Sequence, residues 1–473
     1  MDVREQVENA YLRWKGHLPE LMTRLPRSGS ERIYFRLSDT DGDVIGAYNP
    51  GKDENDAFVG FTRHFISKGL KVPEVFVYYA EEKIYFLEDL GDTNLFTWLA
   101  LRPEEKRFDG ETADLMREIV HDLVKIQAEG IKGLDLTLCY PHRSFDRQSI
   151  IWDMNYFKYM FLKLVFAPFN ETRLERDFER LTLFLLEAGQ DYFLFRDFQT
   201  ANIMVRHGVP YYIDYQGGRC GAPQYDIASL VYDSKAYVPS ALRDMLIDYH
   251  AEEFHKATGK TIEEIRKYTD AFAAVRLMQA LGAFGYRGLY ENKPTFTESI
   301  VPAVGLLDEV LGRLSGRIDL PELAATVKAI SELKRFKILQ EGHEHLKINI
   351  TSFSYSQGIN LDKENGGGFV FDCRSLKNPG KDPEMSVLTG RDSRVTEFFA
   401  SDDEALNFVL DCVNMIRNTI PLYRKKGISA INIAFGCTGG RHRSVWCADR
   451  AEALLGKTPG VEVVVCHTAL EER

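Results

Sequence analysis

The sequence predicts two architectures in tandem: an α+β bilobal domain, β-rich and then helical, followed by an α/β domain with a largely parallel sheet. Three observations predict it. Residues 1–90 hold short apolar strands broken by turns, and residues 91–332 are dominated by helical periodicity. From residue 346 to 473, strands and helices alternate. Between them a Lys- and Glu-rich stretch, 333–345, is expected to be a linker.

In the first lobe, 32–37 and 44–48 are expected strands around the turn Asp39-Thr40-Asp41-Gly42-Asp43. Residues 56–68 place Phe58, Phe61 and Phe65 on one helical face, and 75–79 with 83–87 form a second hairpin. Glu88-Asp89-Leu90-Gly91 then connects to a helix over 95–101. In the helical lobe, 111–128, 155–166, 174–187, 240–256 and 261–285 carry helical spacing. The last domain reads as strands at 347–353, 369–372, 431–435 and 461–466, with helices at 403–425 and 444–455.

Bulk numbers set the class. A chain of 473 residues is too long for one core. Its 44% hydrophobic and 27% charged residues are ordinary for a globular protein, and its 22 Tyr and 30 Phe imply aromatic packing clusters. A net charge of −11 argues against a dominant nucleic-acid or anionic-membrane surface. Seven scattered Cys form no metal-type spacing and read as reduced thiols. With no signal-type N-terminus and no apolar run of bilayer length, a cytoplasmic protein is expected.

The chemistry concentrates in Phe195-Arg196-Asp197-Phe198-Gln199-Thr200-Ala201-Asn202, followed by Tyr212-Ile213-Asp214-Tyr215-Gln216. An apolar strand over 192–195 feeds Asp197, and a hairpin turning at His207-Gly208 separates Asn202 from Asp214. All three polar groups can therefore meet at one phosphate. This is the protein-kinase-like arrangement: Asp197 as the catalytic base on a hydroxyl, and Asn202 with Asp214 as magnesium ligands against ATP. Phe195 stands where such loops carry His, and Asp214 is not followed by Phe-Gly.

On the nucleotide side, Ser28, Gly29 and Ser30 can bring backbone amides close to an anion, with Arg32 just beyond. Glu88 and Leu90, between the lobes, lie where adenine is held by backbone groups. The strand over 44–48 lacks the lysine that kinases use on the α- and β-phosphates; Lys52 or Arg36 is the expected substitute.

Residues 1 to about 330 resemble the aminoglycoside-phosphotransferase superfamily, and within it the anomeric kinases of N-acetylmuramate and N-acetylglucosamine. The likeness rests on the segment from Gly29 to Arg36, Gly69-Leu70-Lys71-Val72-Pro73-Glu74, Leu87-Glu88-Asp89-Leu90-Gly91-Asp92, the catalytic loop, Ile213-Asp214-Tyr215-Gln216, Tyr225-Asp226-Ile227-Ala228-Ser229-Leu230 and Gln279-Ala280-Leu281-Gly282. It implies phosphorylation of an amino sugar, at C1, in peptidoglycan recycling. It also gives Asp226 a loop-holding role and makes Asp153 a candidate for sugar contact.

Near the C-terminus, a buried-type strand over 431–435 runs into Gly436-Cys437-Thr438-Gly439-Gly440-Arg441-His442-Arg443-Ser444, which opens a helix. Such a turn points amides and a helix N-terminus at one anion, and Arg443 adds a charged fork. Cys437 and Arg443 have Cys-x5-Arg spacing, so a Cys-dependent phosphatase is one reading and phosphate-ester binding the preferred one. With Ser352-Phe353-Ser354-Tyr355, the run from Phe371 to Pro379 and Leu388-Thr389-Gly390, this region resembles the C-terminal domain of RapZ-type RNase adapters. The resemblance implies an amino-sugar-phosphate pocket built from Asp372, Arg374, Cys437, Thr438, Gly439, Gly440, His442, Arg443 and Ser444. It also implies small-RNA contact, against which the roughly neutral charge after residue 346 argues. A non-catalytic adapter that binds ligand and RNA or protein is the rival reading. The sequence sets no oligomeric state.

Overall fold

The structure, a computed structural model, describes residues 2–25, 32–291, 293–333, 346–358, 368–425, 428, 430–458 and 460–471. The chain divides into two compact units: one holds 1–158, 169–280 and 305–325, the other 159–168, 281–304 and 326–473. The expected linker lies almost wholly outside the described residues.

In the first unit, β1 (Leu21–Arg24), β2 (Ile33–Asp39), β3 (Gly42–Tyr48), β4 (Val75–Tyr79) and β5 (Ile84–Glu88) form an antiparallel sheet in the order β1-β2-β3-β5-β4. A helix missing from the sequence reading, Val3–Lys15, buries Val7, Ala10 and Tyr11 against Phe35, Leu37, Val44, Ile84 and Phe86. Its few apolar residues fall at helical spacing, and Trp14 stacks on Phe86 at 5.2 Å. The helix Lys52–Ser67 starts four residues earlier than expected and buries Phe58, Phe61 and Phe65.

The helical part contains Gly110–Ala128, Glu171–Leu186, Ser240–Thr258 and Ile262–Phe284 close to their expected spans. The helix expected over 155–166 instead occupies Arg147–Phe157, because the Asp146 carboxylate caps it by accepting the Ser149 N–H at 2.9 Å. A π-turn, Lys158–Leu162, follows. Among these helices lie β6 (Tyr192–Leu194), paired with β9 (Arg219–Gly221), and the hairpin β7 (Ile203–Arg206) with β8 (Val209–Tyr212).

The second unit centres on β10 (Leu346–Ser354), β11 (Gly368–Asp372), β12 (Ala430–Cys437) and β13 (Val461–His467), ordered β11-β12-β10-β13 and parallel throughout. Ile348 and Ile350 of β10 and Ile431, Ile433 and Phe435 of β12, at alternate positions of the two inner strands, are buried, while Val370 and Val464 on the edge strands are exposed. The helices Asp403–Lys425 and Arg443–Leu455 supply the expected alternation.

Candidate active site and phosphate loop

Asp197 lies on the loop leaving β6, Asn202 ends the short 3-10 turn Thr200–Asn202 before β7, and Asp214 follows β8. Strand pairing folds these positions onto one another. The Asn202 Nδ2 donates to the Asp197 carbonyl at 2.9 Å and reaches an Asp214 carboxylate oxygen at 3.4 Å. Arg196 and Asp214 hold φ of 82° and 70°, the strained left-handed region often kept at functional turns.

The loop is held from beneath. Asp226, fully buried, accepts the N–H groups of Phe195 at 2.8 Å and Arg196 at 2.9 Å, and the Gln127 amide at 3.2 Å. Burial pushes its carboxyl up to about 7 while those donors pull it down. Arg196 points inward and grips Asp153 through two hydrogen bonds of 3.0 and 2.7 Å, beneath the rings of Phe145 and Tyr225. Asp153, expected near the sugar, is thus buried, with both oxygens committed to Arg196.

Three cations lie where the nucleotide side is expected. Arg36 donates to Asp89 and Asp92, with 2.9 Å to the latter, and Lys52 reaches Glu81 at 3.3 Å on the surface. Both are thus engaged with carboxylates. Arg32 is 4% exposed, donates to Glu54 at 3.1 Å and approaches Asp214 at 3.4 Å. Ala47, the position without lysine, pairs across strands with Tyr34 and Tyr85. Those bulky cross-strand neighbours fill the face a lysine would use. Glu88 closes β5 and pairs with Arg206 at 2.7 Å, and Leu90 is buried beside it. Ser28, Gly29 and Ser30 lie outside the described residues.

A magnesium ion prefers oxygen donors, and the groups present fit one. The Asn202 amide oxygen and the Asp214 carboxylate are such donors. Gln216 donates its amide to Asp214 at 2.7 Å, while its own buried carbonyl oxygen has no hydrogen-bond partner among the described residues. Desolvation holds Asp214 above the ordinary carboxylate range, with Gln216 and Arg32 opposing and Asp197 reinforcing it. A bound cation would relieve that cost.

In the second unit β12 ends at Cys437, and the turn to the helix Arg443–Leu455 follows the predicted loop. Cys437 is buried, its sulfur 3.1 Å from the Ser444 hydroxyl. Gly440 has φ of +66°, and a Cβ there would meet Ala469 Cβ at 2.6 Å and Ser354 N at 3.0 Å. Thr438 and Gly439 are exposed. His442 faces the Met385 carbonyl at 3.0 Å, and burial lowers its basicity. Arg443 turns inward: it donates to the carbonyls of Arg374 at 3.1 Å and Leu376 at 3.3 Å, clasping that segment to the loop. Arg374 instead grips Asp372 at 2.9 and 2.7 Å and lies over the Tyr355 ring at 4.2 Å.

Residues 5–261 match the APH family model, described as the phosphotransferase enzyme family. The chain belongs to this family. Residues 346–471 match the RapZ C-terminal domain. A nucleotide-binding protein of Aeromonas hydrophila is 32% identical over 187 residues, 39% of this chain and 62% of its own length. The RNase adapter protein RapZ of Serratia proteamaculans is 31% identical over 168 residues, 36% of this chain and 57% of its own. The chain thus spans less than two thirds of these relatives. Among solved structures, choline kinase from Cryptosporidium parvum aligns over 69% of this chain and all of its own at 12% identity, with a TM-score of 0.47.

For a phosphotransferase, this site contains groups the sequence reading passed over: Glu54, Gln216 and Arg276. Glu54 gave no local signal, because its partner Arg32 lies in a separate segment, whereas Gln216 stood in the run just past Asp214 without being given a role. Arg276 did give one. It is a lone cation inside the apolar helical run Ala271-Phe272-Ala273-Ala274-Val275-Arg276-Leu277-Met278.

Proposed function

We propose that this phosphotransferase is an ATP- and magnesium-dependent kinase of an amino sugar, N-acetylmuramate or N-acetylglucosamine, acting at C1 in peptidoglycan recycling. Its RapZ-type domain binds an amino-sugar phosphate and adjusts the kinase. The observation that carries the reading is the approach of Asn202 to both the Asp197 backbone and the Asp214 carboxylate. A binding module has no use for a base and oxygen ligands so arranged. The sugar rests on the sequence resemblance of both halves. Asp197 takes the hydroxyl proton; Asn202 and Asp214, with Gln216 adjoining, hold the metal; Arg32 lies beside the phosphates and is steadied by Glu54. Magnesium, when bound, supplies charge neutralisation on the phosphates.

Incubating the protein with each sugar and magnesium-ATP, and reading the product by mass spectrometry, tests this. A sugar monophosphate is expected from the wild type and none from Asp197→Ala; no product from the wild type with either sugar removes the substrate assignment. The absence of a strand lysine and the RapZ name of one relative favour a second reading, a ligand-binding adapter without turnover. Nucleotide binding without ATP consumption would support it.

A further inference from the structure

Arg276, on the helix Ile262–Phe284, is 8% exposed and sits in an apolar face. Keeping a guanidinium there is costly unless its charge is used. Its partners are mostly neutral: Nε donates to the Ser229 hydroxyl at 2.9 Å, and Nη1 donates to the Gln279 carbonyl. Nη2 points at Asp197 and stops 3.8 Å from its carboxylate, an ion pair without a hydrogen bond. Among the described residues, Nη2 donates to nothing. The cation is therefore held rigidly by two contacts, with a spare donor aimed at the base.

We propose that Arg276 is a catalytic residue that stabilises the phosphoryl group in transit. An acceptor hydroxyl within hydrogen-bond reach of Asp197 puts the incoming phosphorus next to Nη2. As the acceptor oxygen bonds to phosphorus, the bond to the bridging oxygen of ADP breaks and the hydroxyl proton passes to Asp197. The negative charge spreads over the equatorial oxygens, where a fixed guanidinium stabilises it without reorganising. A permanent anion of the acceptor at the same place would also face the Asp197 carboxylate and be repelled. The inference rests on the phosphotransferase reading but not on which sugar is used.

The test compares full-length wild type, R276K and R276Q for magnesium-ATP turnover, with sugar and with water as acceptor, and for affinity toward ADP and ADP–aluminium fluoride. In R276Q, kcat is expected to fall about 10²–10³-fold with both KM values within about threefold. R276K should recover part of the loss. Fluoroaluminate affinity should fall in R276Q while ADP affinity stays. Thermal unfolding separates misfolding from lost chemistry, and if R276Q does not fold, R276K must show the same split. An unchanged kcat, or a rise in acceptor KM alone, overturns the proposal. A wild type that consumes ATP with neither sugar nor water overturns the kinase reading and this proposal together.

Discussion

A base that receives a proton from a substrate hydroxyl must be reachable, and the Asp197 side chain is 43% exposed while its loop neighbours Phe195 and Phe198 are buried. Asp197→Asn keeps the shape and removes the basicity. It should lower kcat about 10²–10⁴-fold with the unfolding midpoint unchanged, checked by steady-state kinetics beside calorimetry. Arg32 has the opposite character, buried and gripped by Glu54. Arg32→Ala should weaken magnesium-ATP binding about tenfold in a titration calorimeter, and Arg32→Lys should recover part of it. This residue also marks where the sequence stopped being legible. Asp197, Asn202 and Asp214 flank one hairpin, so their spacing reads directly. Arg32, Glu54 and Asp214 meet only because three separate segments pack together, and nothing local announces such a meeting. Lys52 and Arg36, the expected substitutes for the strand lysine, pair with carboxylates, whereas Arg32, just before the adjacent strand, is the cation that approaches Asp214.

At the scale of elements, the candidate catalytic loop is only as firm as the layer beneath it. His250, on Ser240–Thr258, faces the Gln127 carbonyl at 3.0 Å, Gln127 donates to Asp226, and Asp226 holds the loop amides. Burial drives His250 down to about 3, so it is neutral in the folded protein. Its depressed value means that below about 6.5 the unfolded chain binds a proton the folded one refuses, and stability is lost as pH falls through 6.5 toward 3. His250→Gln removes that penalty. The variant's stability deficit should therefore be smaller at pH 5 than at pH 7, by about 2 kcal/mol, in denaturant titrations at the two values. An equal deficit at both would contradict the assignment. Most elements were legible because helical spacing and apolar strands are local signals. The first helix was not, since its apolar positions are few and its flanks polar; only the sheet it covers shows why Val7, Ala10 and Tyr11 fall on one stripe.

At the scale of the whole molecule, two compact units carry the two candidate sites, the loop of Asp197 in one and a strand-loop-helix turn in the other. Among the described residues no helix is long and apolar enough to cross a membrane. The second unit's parallel sheet was legible from alternation alone, whereas the inward turn of Arg443 was not, because the carbonyls it clasps lie 69 and 67 residues earlier. If the turn holds a phosphate ester, glucosamine 6-phosphate should raise the unfolding midpoint of the full chain by mass action. Gly440→Ala should abolish that shift and cost about 1–3 kcal/mol, because both its φ and its close neighbours exclude a Cβ. Asp197→Asn should leave the shift intact.

In the proposed kinase, Asn202 and Asp214 gather one divalent ion onto a nucleotide beside Asp197. Titration calorimetry of the full chain with ADP, with and without magnesium, tests this most directly. The wild type should bind ADP more tightly with magnesium, and Asp214→Asn and Asn202→Ala should lose that gain while keeping metal-free binding. Magnesium-independent binding of equal strength in all three proteins would contradict it.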